Sequence, residues 1–153
     1  MPAINPCLLA LLDEAFDKKS WHGPNLRNSL RGVSARAAAW RPAPDLHNIW
    51  EYALHAAYWK YVVRRRITGE KRGSFVLPGT NFFSRPAEAT EAAWEQDIEI
   101  LVTAHQDLRY AVVHLETTSP KIEHLIRGAA AHDLYHAGQI RLLRRMGAQY
   151  TGA

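Results

Sequence analysis

Residues 87–115 read AEATEAAWEQDIEILVTAHQDLRYAVVHL, and within them Trp94, Ile98, Leu101, His105, Leu108, Val112 and Leu115 recur at alternating steps of four and three. That spacing lays the apolar side chains along one stripe of an α-helix, as a seam packing against other helices requires. A half-buried strand would alternate with a period of two, which this stretch does not. Upstream, residues 69–86 carry Gly69, Gly73, Gly79, Pro78 and Pro86 around Phe75, Phe82 and Phe83. They read as a long connection with its own aromatic anchors, and loops of that length in compact domains are often functional.

The same periodicity extends to both sides. Before the connection, residues 46–68 form a predicted helix with Asp45 as its N-cap and Gly69 as its stop. After Thr117–Pro120 a last helix is predicted over 121–146, with Ile122, Leu125, Ile126, Ala129, His136, Ile140 and Leu143 inward and Gly147 ending it. At the start, Leu8, Leu9, Leu11, Leu12, Ala15 and Phe16 place a helix over about 5–18, broken at Ser20–Pro24 and followed by a short piece through Leu26 and Leu30. Residues 34–45, with Pro42 and Pro44, read as an alanine-rich turn. Four main helices with no internal repeat predict an all-α protein built as a four-helix bundle. A chain of 153 residues suits a single domain over 1–153.

Composition agrees and narrows the function. Apolar residues make up 47% and charged residues 22%, which excludes a disordered chain, and 23 alanines favour helix. The formal charge of +4 is mild, and the basic groups Arg64–Arg66 with Lys71 and Arg72, and Arg141 with Arg144 and Arg145, lack interleaved aromatics, so nucleic acid is not the expected partner. A single cysteine, Cys7, excludes an intrachain disulfide framework and fits a reducing compartment, hence the cytoplasm; it is expected to be a small buried hydrophobe. No export signal and no membrane-spanning stretch is evident.

Eight histidines invite a test of which can share one ion. His132 and His136 stand one helical turn apart, about 6 Å along the axis and about 40° around it, so both imidazoles can reach a metal at ~2.0–2.1 Å. They share a face with Ala129, Ile140 and Leu143, where unpartnered imidazoles would be costly. No His, Asp, Glu or Cys follows His136, so a third ligand must lie upstream. His55, mid-helix among Ala53, Leu54, Ala56, Ala57, Tyr58 and Trp59, is the best donor. His105, on the apolar seam, is a rival, although a lone inward histidine is more often a hydrogen-bonded core residue. His47 lies roughly 12 Å from His55 along the axis, too far to share its metal, and His22, His114 and His124 read as surface residues. The run His132-Asp133-Leu134-Tyr135-His136 also stands one methylene from the His-Glu-x-x-His pattern of zinc peptidases, with Asp133 as the base. The missing downstream ligand argues against that alternative.

The segments His47-Asn48-Ile49-Trp50-Glu51 through His55-Ala56-Ala57-Tyr58-Trp59-Lys60, and Ala131-His132-Asp133-Leu134-Tyr135-His136-Ala137-Gly138-Gln139-Ile140, resemble the second and last helices of the DinB superfamily of YfiT-like metalloenzymes. The resemblance spans nearly the whole chain. It implies an up-down-down-up bundle, a divalent metal, nickel or zinc, held by His55, His132 and His136, and a homodimer. Characterised members of that family use the metal to activate a low-molecular-weight thiol, as in bacillithiol and mycothiol S-transferases and a mycothiol-dependent maleylpyruvate isomerase.

Three neutral imidazoles leave an exchangeable position on such a metal, where a water or a thiol would lose its proton more easily. A thiol-dependent S-transferase or a hydrolase of a small-molecule substrate, working through thiolate or hydroxide, is therefore expected. A non-catalytic metal-binding, stress-associated interaction protein is the alternative. Glu51, Asp133 and Gln139 are candidates to orient the ligating rings. Trp50, Tyr58 and Trp59 are candidate pocket walls, and residues 69–86 a candidate cover.

Overall fold

A computed structural model describes residues 5–152. Its elements are helices throughout: α1 (Pro6–Phe16), α2 (Leu26–Leu30), α3 (Ala35–Ala39), α4 (Ile49–Thr68), α5 (Glu91–Val113) and α6 (Pro120–Thr151), with no strand among the described residues. The protein is all-α.

Each start is fixed by a polar side chain that satisfies an otherwise orphaned backbone N–H. Asn5, Asn25, Ser34, Asn48, Thr90 and Ser119 cap the six helices in turn. Three caps correct the sequence reading. α4 begins after Asn48, not Asp45: Asn48 is fully buried, its Oδ1 accepts the Glu51 N–H at 2.8 Å and its Nδ2 donates to the Arg85 carbonyl at 2.8 Å, so one side chain starts the helix and fastens the 69–90 connection. Within 34–45, Ser34 accepts the Ala37 N–H at 3.2 Å and nucleates the short helix α3 in place of the expected turn. α6 runs through Gly147 and ends at Gly152, whose φ of 70° is the left-handed conformation that closes helices. Gly147 has a packing role instead: a Cβ there would stand 2.8 Å from the Trp40 ring, so only glycine lets the indole lie against the helix. Cys7, at the exposed start of α1, is solvent-accessible and not the buried residue expected.

The pairing of the long helices follows from their cross-contacts. Trp50 donates to Asp97 at 2.7 Å and packs on Trp94, while Tyr61 and Arg64 face Thr103 and Asp107, so α4 and α5 run in the same direction. His55 meets His136 and Val63 lies beside Leu125, so α4 and α6 run oppositely. Asp13 pairs with Arg109 and Phe16 stacks on His105, so α1 opposes α5. One apolar cluster joins Leu8, Leu12, Val63, Ile67, Leu108, Val112, Ile126 and Ala129 from α1, α4, α5 and α6. A larger cluster brings α2 and α3 against Trp50, Leu54, Leu101 and Ile140. Between them, along α4 and α6, lies a belt of buried polar residues that contains the candidate site.

Candidate metal centre

Three imidazoles converge in that belt. The Nε2 of His55 on α4 lies 3.0 Å from the Nε2 of His132 on α6, and the Nε2 of His136 lies 3.0 Å from the same atom. The ligand-capable atoms of all three lie within 4.8 Å of one another. His55 and His136 are buried and His132 half-buried.

The second nitrogen of two rings decides what the first can do. His55 Nδ1 is 3.0 Å from the Asn81 carbonyl, which can only accept, so His55 carries its proton on Nδ1 and presents a lone pair at Nε2. His136 Nδ1 is 2.6 Å from Gln139 Oε1, and the same logic leaves its Nε2 bare. Two lone pairs therefore point at His132 Nε2, whose single hydrogen could satisfy only one of them. A cation that accepts a lone pair from each of the three nitrogens resolves the conflict, so the donor set fits a divalent metal, with two of the imidazoles oriented from behind in the usual manner of metal-binding histidines.

Electrostatics favour the same state. Burial lowers the His55 pKa to about 4, with the nearby His136 and His47 adding to the effect against the pull of the Asn81 hydrogen bond. Burial, then His136, His55 and Lys60, lowers His132 to about 3. Burial also lowers His136, with Gln139 opposing. All three are thus neutral, as ligands must be, at physiological pH.

Of the residues expected to orient the rings, only Gln139 touches one. Glu51 faces away from His55: it pairs with Arg41 and accepts from His47 at 2.7 Å and from the Arg85 N–H at 3.2 Å. Burial alone would push the Glu51 carboxyl up, but these donors together hold it below the ordinary range. Asp133 projects to the core side of α6 and pairs with Lys60 at 2.5 Å, both nearly inaccessible, so it is neither a partner of the site histidines nor a peptidase base. His105 is buried, stacked on Phe16 with centroids 3.7 Å apart, and its Nδ1 has no partner; it is a core residue outside the cluster, without the Nδ1 hydrogen bond expected of one. Of the expected aromatic walls, Trp50 is in the core and Tyr58 joins Phe75 and Phe83, whereas Trp59 stands 6.3 Å from the His132 ring. Arg64 pairs with Glu70 and Arg144 donates to the Ser29 carbonyl.

Residues 69–90 reach the site through Phe82, one of the expected aromatic anchors, and through Asn81, which the sequence did not single out. Asn81, at φ 67°, turns its carbonyl onto His55 and its side chain onto the Trp59 indole at 2.9 Å. Phe82 is stacked between His55 and His47, at 4.0 and 3.6 Å. Tyr52, one turn before His55 on α4, covers His136 at 5.2 Å. For Asn81 the available signal was its residue type, since asparagine tolerates the left-handed turn better than most residues. A cavity of about 350 Å³ between α4, α5 and this connection is lined by none of the three histidines. No helix among the described residues is long and apolar enough to cross a membrane.

A family model described as the DinB superfamily matches residues 20–140 of this chain. No curated protein matches it. No solved structure matches it either.

Proposed function

The chain belongs to the DinB superfamily, and from that premise we propose that it is a metal-dependent enzyme, a thiol-dependent S-transferase or a hydrolase of a small-molecule substrate, with nickel or zinc held by His55, His132 and His136. The observation that carries this reading is the meeting of three Nε2 atoms, two of them stripped of hydrogen by the bonds their rings make at Nδ1. A divalent cation held there would supply Lewis acidity, lowering the pKa of a water or thiol. The chain's own part is orientation and exclusion. Asn81 and Gln139 fix two rings, Phe82 and Tyr52 shield them from solvent, and the exposed side of His132 leaves an approach for small molecules.

The same reading takes the chain as one domain, an up-down-down-up four-helix bundle in a cytoplasmic homodimer. The parallel pairing of α4 with α5, and the opposed pairings of α4 with α6 and α1 with α5, support that order. Turnover settles the enzymatic claim. The metal-loaded protein is expected to consume electrophiles with a low-molecular-weight thiol, or to hydrolyse activated esters or amides, and to lose that turnover with a chelator. Activity that survives replacement of all three histidines contradicts it, and metal binding without turnover across the screen favours a non-catalytic metal-binding role.

A further inference from the structure

A cavity of about 140 Å³ borders the histidine cluster, between the second half of α4 and the first half of α6, lined among others by Trp59, Val63, Arg66, Gly128, Ala129 and His132. Its walls are chiefly apolar, it opens to solvent beside Gly128 and Arg66, and its volume matches a benzene-sized body, the ~150 Å³ at which an enclosed apolar cavity takes such a guest. One wall is set in advance: the Trp59 indole is held by its N–H bond to Asn81 at 2.9 Å. Another is left bare. Gly128 weakens the interior of α6 relative to alanine, yet packing does not require it, since an added Cβ would meet no atom within 4 Å. Arg66 is exposed and forms no ion pair among the described residues.

We propose that this cavity is the substrate subsite of the metal centre and takes a small carboxylate with a compact apolar body, aryl or branched alkyl, the body lying between Trp59 and Gly128 and the carboxylate meeting Arg66. The inference rests on the metal-centre reading above, and its test separates the two. Benzoate is titrated into the metal-loaded protein while the Trp59 indole N–H resonance is followed, and metal content is measured on the same samples. The resonance should shift saturably. G128L should weaken benzoate at least about tenfold by occupying the space, with metal content unchanged, while G128A stays close to the parent. R66Q should weaken benzoate about threefold, the scale of an exposed ion pair, and leave neutral benzyl alcohol unaffected. That split holds whether or not G128L folds. Unaltered benzoate binding in both G128L and R66Q, or no benzoate binding to the parent, overturns the subsite. Loss of metal from the parent protein with benzoate binding intact overturns the metal centre instead.

Discussion

At the scale of single residues, the second hydrogen bond of each ring matters as much as the ring itself. Gln139 accepts the Nδ1 proton of His136, so Q139A is expected to weaken metal binding by about 10–100-fold, the usual effect of removing such a support, with little change in thermal stability. Competition with a chromophoric chelator measures it, and an unchanged affinity would remove Gln139 from the site. The lowered pKa values of His55 and His132 set how acid resists metal release. Burial lowers the pKa of all three imidazoles, so protons compete with the metal less than at three ordinary imidazoles, and the metal retained per chain in an acid titration should fall only below the ordinary value of 6.5. Residue types at helical spacing made His132 and His136 legible as a pair. Which neighbour supports them was not legible, because Glu51 and Asp133 are taken by Arg41, His47 and Lys60 from elsewhere in the chain, partners that helical spacing does not reveal.

At the scale of elements, α4 and α6 carry the site, and Lys60 and Asp133 tie them together inside the core. Burial pushes the Asp133 carboxyl up to about 6, with the Lys60 ammonium pulling against it, and Asp133 Oδ1 has no hydrogen-bond partner. K60M alone should destabilise the protein by about 3–5 kcal/mol by leaving a buried carboxylate unpaired, whereas K60M/D133L should come much closer to the parent. Denaturant unfolding of the three variants tests this, and a double variant no better than the single would show that the pair is net stabilising. G147A should cost about 1–2 kcal/mol despite the higher helix propensity of alanine, because the new Cβ drives into the Trp40 ring. Periodicity in α5 and α6 revealed these helices because their buried residues recur every three or four positions. Helix ends were less legible: at the start of α4 Asn48 outcompetes Asp45 by also bonding the Arg85 carbonyl, and in α6 Gly147 is there for Trp40, a residue more than a hundred positions away in the chain.

For the whole molecule, the buried histidines make stability depend on pH. His105 is lowered to about 2, chiefly by burial and then by Lys60, and the site histidines are lowered as well. As pH falls through about 6.5 the unfolded chain takes up protons that the folded one refuses, so stability present above that pH is lost towards acid. Asp133, raised to about 6, acts in the opposite sense between its ordinary value of 3.8 and 6, so below about 6 a single proton's worth of the histidines' loss is offset while the net loss continues. Unfolding free energies of the metal-free protein at pH 7.5 and 5.5 check this, and H105L should flatten the dependence. The existence of the long helices, though not their relative directions, could be read from apolar stripes. The 69–90 connection could not, since its contacts, Asn81 on His55 and Phe82 between two histidines, join positions that no local pattern relates.

The most direct measurement is the stoichiometry of zinc or nickel bound per chain, by calorimetric titration of the metal-free protein with elemental analysis of the product. We expect one ion per chain in the parent and none, at the same concentrations, in H55A/H132A/H136A that remains helical by circular dichroism. A parent chain that binds no ion, or a triple variant that still binds one, would contradict the assignment of these three imidazoles as a metal centre.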